Sequence, residues 1–357
     1  DARFHNGLTG AEMHNPYPLM FQREVFEAIR AHHGRAVIWA RSGAPGSQRY
    51  PIHWSGDPEC TFVDLANNLR GGLASAMSGF AHWSHDIGGF WGDPSPELYI
   101  RWAQCGFLSP LSRIHGATAR DPWLFGEEGL RIFRTYARFR SRLVPYLYSY
   151  AWHAAETGIP LMRPMVLEFP EEPAGYAFDL QYCLGRELLV SPVVREDGWV
   201  TTYLPRERWM DWWSGTVHEG PTTLQRQVPL SEIPLYLKQN SLLPLGPERS
   251  YVTERLADPL TVEAFVTTQT EFRLKSDAGE NVLRCRRHGG QTIFEASDAP
   301  CTFIVRLHEC DPPSRVLAEG KPLARVESTG LTEAETGWAY EGRVVVAKAR
   351  ARQIRVE

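Results

Sequence analysis

The chain has 357 residues, 43% of them hydrophobic, and its 38 Lys and Arg against 42 Asp and Glu give a net charge of −4. This length indicates two or three domains, and the slightly acidic balance gives no reason to expect a nucleic-acid or membrane partner. The six cysteines have no CxxC pair and no regular spacing, which predicts reduced thiols and favours a cytoplasmic location over a disulfide framework or a zinc site.

The first half of the chain alternates helices with short apolar runs, each of the first three runs ending in a polar motif. Asn15 and Pro16 predict the start of a helix that ends at Gly34. A buried strand over 37–40 then leads into a Gly-rich loop that contains Arg41, Trp54 and Asp57. Further helices are predicted over 62–76, from Ser95 onward, and over 127–157 with a kink at Pro145 and an end at Gly158; further strands are predicted over 77–83, 107–111 and 160–169.

This order predicts a parallel α/β unit with its site at one rim. Four strands are half of an eight-stranded barrel, so we expect the other half to lie upstream of Asp1, which is neither an initiator Met nor part of a signal sequence. Beyond about residue 170, short alternating runs between Gly, Pro and Asp turns predict two all-β modules. The fold class is therefore α/β plus all-β: the C-terminal half of a (β/α)8 TIM barrel (1–168), a proximal C-terminal β-domain (169–247) and a distal β-sandwich (248–357).

Asp57 and Asp86 follow two successive strands, so a parallel barrel would place both carboxylates at the same rim. Paired carboxylates serve glycosyl transfer, although two loop aspartates are also common as turn residues. The aromatic ring of Trp54 and the guanidinium of Arg41 suit a neutral polyol. His115 follows the third strand and is either a hydroxyl-binding or a structural histidine.

Other kinds of site receive little support. His82, His85 and Asp86 form an H-x-x-H-D pattern, but positions three apart on a strand point to opposite faces, so no metal is predicted. Arg131, Arg134 and Arg138 share one side of a helix whose aromatics occupy the other, which is typical of an amphipathic helix packed on a sheet. The Gly pairs lack the lysine of a phosphate loop, and no cofactor is predicted.

With these residues identified, the chain resembles glycoside hydrolase family 31, and within it the α-xylosidase branch. The matching motifs are ARSGAPGSQRYPIHWSGD, LRGGLASAMSGFAHWSHDIGGF, LSPLSRIHG and LMRPMVLEFP. The resemblance implies that Asp57 is the acid/base catalyst. It also implies sugar contacts at the following positions: Arg41, Trp54, Asp86, Phe90 and His115.

The family's nucleophilic aspartate lies in a D-F-G-E segment that would end a few residues before Asp1, so the resemblance implies an inactive chain that carries only the acid/base half of the site. The expected substrate is an α-linked xyloside or glucoside, and the resemblance leaves room for a homo-oligomer of the full-length protein. Three alternatives stay open: an α-glucosidase, a sulfoquinovosidase, or a non-catalytic fragment that needs its N-terminal half.

Overall fold

The computed structural model of the protein describes residues 2–251 and 258–357. A helical unit with short parallel strands comes first, and predominantly antiparallel sheets follow. The α-helices of the described residues are α1 (Gly10–Met13), α2 (Pro16–His33), α3 (Phe62–Met77), α4 (Pro96–Phe107), α5 (Gly126–Arg142), α6 (Val144–Thr157), α7 (Met165–Glu168) and α8 (Ser328–Leu331).

Short parallel strands form an arc in the first unit. β1 (His53–Trp54) pairs with β2 (Trp83–Ser84), β3 (Asp86–Ile87) pairs with β4 (Arg113–Ile114), and a parallel bridge joins Ala40 to His53. Helices α3 and α4 pack closely on the outside of this arc, since an added Cβ at Gly72 or Gly106 would come within about 2.6 Å of the Trp83 ring or the Ile87 side chain, respectively. The arc confirms the predicted α/β half-barrel, and it does not close within the described residues.

The first two predicted strands are partly wrong. Residues 37–40 are extended but bridge only at Ala40, and Val37 and Trp39 are 60% and 38% exposed rather than buried. The segment predicted over 77–83 begins as the last residue of α3, and β2 starts only at Trp83. A short apolar run fits the end of a buried helix as well as a strand, which is the reason for this error.

The other two predicted strands also need correction. Residue 107 still belongs to α4, and the strand that follows is β4, two residues beyond the predicted 107–111. The run predicted over 160–169 is divided between β5 (Met162–Pro164) and α7. β5 pairs antiparallel with β6 (Tyr182–Leu184) and so belongs to a β-domain sheet rather than to the arc. In its place the arc contains β1, a strand whose residues were predicted to lie in a loop.

A proline and two glycines mark helix ends in the first unit. The helix predicted over 127–157 is two helices, α5 and α6, that meet at Leu143, with Pro145 in the first turn of α6, where a proline needs no amide donor. Gly158 ends α6 in the left-handed conformation, as predicted, and Gly34 ends α2 in the same way. On α2 the apolar residues at helical spacing face solvent: Tyr17, Met20 and Phe21 are 51%, 41% and 59% exposed.

The second part contains two sets of sheets. The first set is a six-stranded sheet in the order β10-β9-β12-β7-β6-β5 with a two-stranded ribbon β11-β8. Its remaining strands are β7 (Leu188–Val190), β8 (Trp199–Leu204), β9 (Arg208–Asp211), β10 (Val217–Glu219), β11 (Thr222–Gln227) and β12 (Leu235–Lys238).

The second set is the distal pair of sheets, in the orders β13-β14-β18-β22-β21 and β15-β16-β17-β23-β19-β20. Its strands are β13 (Ser241–Leu245), β14 (Leu260–Phe265), β15 (Gln269–Ser276), β16 (Gly279–His288), β17 (Gln291–Ala296), β18 (Phe303–Leu307), β19 (Val316–Ala318), β20 (Lys321–Pro322), β21 (Gly337–Glu341), β22 (Val344–Ala349) and β23 (Gln353–Val356). The all-β texture predicted for this region is confirmed, while the domain boundaries at 168/169 and 247/248 stay predictions.

Barrel helices α4 and α5 are joined to the proximal β-domain by hydrogen bonds from two buried side chains, Arg101 and Tyr136. Arg101, only 3% exposed, donates to the carbonyls of Val228, Pro229 and Glu232 at 2.7, 3.1 and 2.9 Å. The Tyr136 hydroxyl donates to the Ser231 carbonyl at 3.1 Å. We call loop 228–232 and these donors the interdomain clamp.

All six cysteines are free thiols, five of them buried and Cys60 partly exposed. This agrees with the prediction of reduced thiols. Among the described helices, none combines the length and apolar character that a bilayer crossing requires.

Candidate active site

Arg41 and Asp57 form the first pair of the candidate site. Each follows a strand segment of the arc, Arg41 after Ala40 and Asp57 three residues after Trp54. Arg41 Nη1 donates to Asp57 Oδ2 at 3.1 Å, and both side chains reach solvent. Gly56 makes this approach possible, because it has φ +89° and an added Cβ would lie 3.0 Å from the Arg41 side chain.

Asp86 and Arg113 form the second pair, directly opposite each other in the β3–β4 register. Both Nε, at 2.8 Å, and Nη2 of Arg113 donate to the same oxygen, Asp86 Oδ1. Asp86 is fully buried, and its Oδ2 has no hydrogen-bond partner among the described residues. Burial raises the pKa of Asp86 above its ordinary value, Arg113 and His115 oppose that rise, and the charge of Asp57 adds to it. The two aspartates are thus electrostatic neighbours at one rim.

Two tryptophans contact the Arg113 guanidinium. Its Cζ lies 4.1 Å from the ring centroid of Trp54 and 5.3 Å from that of Trp39. A guanidinium over an indole face gains cation–π attraction and keeps a fixed orientation. Trp54, predicted as a sugar platform, therefore has one face engaged by Arg113.

Phe90 and His115 lie next to each other on the loops after β3 and β4, with ring centroids 5.3 Å apart. Arg120 anchors the Phe90 loop: it is 4% exposed and donates to the carbonyls of Gly89 and Gly92 at 3.0 and 2.8 Å. This anchoring fixes the Phe90 ring beside His115.

The histidines of the H-x-x-H-D pattern do not converge on an ion. His85 is buried, accepts from Trp102 Nε1 at 2.7 Å and lies 3.2 Å from the Ser109 hydroxyl, and burial lowers its pKa to about 3. It stacks on Trp83 at 4.8 Å. Its ring is thus committed to the packing of α4 against the arc. Among the described residues, no group of three or more His, Cys, Asp or Glu side chains is arranged to hold a metal.

A cavity of about 530 Å³ opens beside the first pair. It is lined by Arg41, Trp54 and Asp57 on one side and by polar residues of α3, among them Asn67 and Asn68, on the other. Asp86, Phe90 and His115 lie outside its lining. The six predicted site residues therefore form two neighbouring groups rather than the wall of one pocket.

Sequence reasoning missed two residues of this arrangement, Arg113 and Trp39. Arg113 stands two positions before His115 in the S-R-I-H-G motif, and the alternation of a strand would have placed both on one face. Trp39 was assigned to the buried strand because it sits in an apolar run. Its exposure was not visible in that pattern.

Comparison with known proteins gives two family matches. The model of the glycosyl hydrolases family 31 TIM-barrel domain matches residues 1–150, and that of the family 31 C-terminal domain matches residues 158–243. An α-xylosidase of Emericella nidulans is 39% identical over 254 residues, which are 68% of this chain and 33% of that protein.

An isomaltosyltransferase of Sporosarcina globispora is 31% identical over 367 residues, covering 95% of this chain and 33% of its own length. The chain thus spans about a third of the length of the curated relatives it matches. Among solved structures, the cycloalternan-forming enzyme from Listeria monocytogenes in complex with a pentasaccharide substrate superimposes with a TM-score of 0.95 at 27% identity, over 100% of this chain and 37% of that one. Proteins named α-glucosidase are also among the relatives.

Proposed function

The chain belongs to glycoside hydrolase family 31, and on that premise we propose that it supplies the acid/base side of a retaining exo-α-glycosidase that removes terminal α-xylosyl residues. The observation that supports this most is the Arg41–Asp57 pair at the rim of the arc, beside an open cavity. The nucleophilic carboxylate would come from an upstream segment of a longer protein that contains this chain.

In this proposal Asp57 protonates the departing glycosidic oxygen and later deprotonates the water that releases the sugar. Retaining chemistry of this kind places the two carboxyl groups about 5–5.5 Å apart. Asp86 cannot substitute for the nucleophile, because it is fully buried and held by Arg113. The 357-residue chain alone is then inactive, and turnover requires the longer protein.

The remaining predicted residues would bind the sugar. Arg41 keeps Asp57 in place and reaches solvent, and Trp54, Phe90 and His115 offer ring faces or a ring nitrogen to a polyol. Asp86 contributes from beneath Arg113. No residue of this set discriminates xylose from glucose, so the xylosyl preference rests on the 39% identical α-xylosidase, and α-glucosidase is the alternative.

The experiment is Asp57→Asn in the longer protein, with Glu128→Gln as a matched control at an exposed carboxylate. Removing a general acid slows substrates with poor leaving groups by about 10²–10⁴-fold. We expect such a loss on alkyl α-xylosides and a much smaller loss on aryl α-xylosides with acidic phenols. Equal losses on both would show that Asp57 is not the acid. Parallel rates on aryl α-glucosides decide between the two sugar preferences.

The same assay on the 357-residue chain tests the claim that it is inactive by itself. We expect no turnover above background for either sugar. Turnover that disappears with Asp57→Asn would contradict that claim and place a complete site within the chain.

A further inference from the structure

Arg113 is the charged residue at the rim to which the proposed function gives no direct role. Its side chain is 24% exposed, whereas that of its partner Asp86 is 0% exposed. Nε and Nη2 bond to Asp86, while Nη1 has no hydrogen-bond partner among the described residues. A sugar hydroxyl that approaches this ion pair from solvent therefore reaches the guanidinium before it reaches the carboxylate.

The geometry of Asp86 argues against direct contact with a ligand. Its free Oδ2 is buried, so a sugar oxygen could reach it only after Arg113 moved away. Such a movement would leave a buried carboxylate without its cation, which is strongly destabilising. The closed ion pair is thus the state that a ligand encounters.

The two tryptophans fix the direction of the remaining donor. With Trp54 at 4.1 Å and Trp39 at 5.3 Å from Cζ, the plane of the guanidinium is restrained by indole rings as well as by Asp86. A planar fork restrained in this way loses little further conformational freedom when it donates to a ligand oxygen.

We propose that Arg113 binds a ring hydroxyl of the sugar directly, its Nη1–H donating to the hydroxyl oxygen, and that Asp86 is a positioning residue that acts only through Arg113. This deepens the proposed function and rests on it. It changes the role of Asp86 from a sugar ligand to the buried counter-ion of one.

Calorimetry with free xylose and its 2-, 3- and 4-deoxy analogues tests the proposal in the longer protein. We expect Arg113→Ala to weaken xylose binding by about 10- to 100-fold, the usual range for a lost hydrogen bond to a charged donor. One deoxy analogue should bind wild type and Arg113→Ala equally, because it lacks the hydroxyl that Arg113 contacts. Arg113→Lys should lose most of the affinity, since an ammonium cannot reproduce the fork.

Asp86→Asn separates the two roles. With Asp86 as a positioning residue, this variant binds more weakly but still discriminates against the same deoxy analogue. Discrimination that vanishes in Asp86→Asn and persists in Arg113→Ala overturns the proposal, as does an unchanged affinity in Arg113→Ala. Should Arg113→Ala not fold, the same comparison with Arg113→Lys decides.

Guanidinium ion gives a second readout that a purely structural role would not produce. We expect millimolar guanidinium to restore sugar affinity in Arg113→Ala by taking the place of the lost guanidinium group against Trp54 and Trp39, and not to affect Arg134→Ala, a control at an exposed arginine of α5. An absence of rescue in folded Arg113→Ala counts against the proposal. Sugar binding that depends on Arg113 without turnover of any α-glycoside refutes the proposed function alone.

Discussion

At the scale of single residues, the Gly88-Gly89 pair shows why the loop that presents Phe90 cannot vary. Both glycines have positive φ, +94° and +82°. A Cβ on Gly89 would lie 2.9 Å from both Cys60 Cα and the Glu59 carbonyl oxygen, which are backbone atoms that cannot give way. The loop therefore depends on glycine for both conformation and space.

We predict that Gly89→Ala lowers the free energy of unfolding by about 3 kcal/mol, through backbone strain and overpacking together. Gly79→Ala is the matched control: its φ is +90° but no atom lies within 4 Å of the added Cβ, so strain alone should cost about 1 kcal/mol. Thermal denaturation of the two variants measures the difference. Equal losses would mean that the contact with Cys60 and Glu59 relaxes.

The residues of the site differ in how well the sequence could predict them. Asp57 and Arg41 follow apolar runs that become polar within a few residues, and this pattern was sufficient to place them at one rim. The burial of Asp86 and the contact of Arg113 with Trp54 depend on how neighbouring strands align. That alignment is set by packing between segments far apart in the chain, which local patterns do not encode.

At the scale of elements, Glu263 of β14 and Arg306 of β18 stand directly opposite each other in a parallel pair. Glu263 is 8% exposed, its carboxylate lies 3.1 Å from Arg306 Nε, and His308 Nε2 lies 2.7 Å away. Burial alone would raise the pKa of Glu263, but the His308 hydrogen bond and the charges of His308 and Arg306 bring it below its ordinary value of 4.5.

A lowered pKa in the folded state means that the ionised Glu263 stabilises the fold above about pH 4.5 and that this contribution is lost as the pH falls through the folded-state pKa. We predict that Glu263→Gln costs about 2 kcal/mol at pH 7 and flattens the loss of stability below pH 4.5. Urea unfolding at a series of pH values measures both effects. An acid limb as steep as that of wild type would contradict the assignment.

The interdomain clamp leads to a second prediction for elements. Arg101→Met would leave the buried carbonyl of Val228 and the partly buried carbonyls of Pro229 and Glu232 without their donor, and we expect a loss of about 3 kcal/mol. Arg131→Ala, at an exposed pair 3.9 Å from Glu128, should change stability by less than about 0.5 kcal/mol. Chemical denaturation monitored by tryptophan fluorescence measures the free energy of unfolding of both variants. Similar losses in both would show that the interdomain clamp does not stabilise the fold.

Long elements were predicted well and short ones poorly. Side-chain caps at Thr61 and Ser95 fix the starts of α3 and α4, and Pro16 opens α2, although Asn15 makes no side-chain cap hydrogen bond. The glycine ends of α2 and α6 were visible as well. The arc is built of strands two residues long, too short to produce any periodicity of their own. Their positions follow from the helices that pack against them.

At the scale of the whole molecule, α2 exposes apolar side chains that a barrel helix would normally bury. Tyr17, Met20 and Phe21 line a groove together with Phe4 and Met13. Apolar surface of this kind suits contact with another part of a protein. In the longer protein proposed above, the rest of the barrel would lie against this face.

We predict that Tyr17→Gln combined with Phe21→Gln raises the solubility of the 357-residue chain and lowers its binding of an apolar dye. In the longer protein the same pair should instead cost about 2–4 kcal/mol, because both side chains become buried there. Trp123→Gln, at a residue 63% exposed elsewhere, serves as the control. An unchanged stability of the longer protein would mean that this face of α2 stays in contact with solvent there.

The clamp between Arg101 and loop 228–232 also bears on chimaeras made between members of the family. The acceptors in the interdomain clamp are main-chain carbonyls, which every sequence possesses. Replacing the β-domain with that of a distant homologue therefore keeps these acceptors, whatever side chains the new domain carries. Compatibility then depends on the length and path of the incoming loop rather than on its sequence identity. Crossovers that preserve the length of segment 228–234, which joins β11 to β12, should keep the two units compatible, and insertions at that point should not.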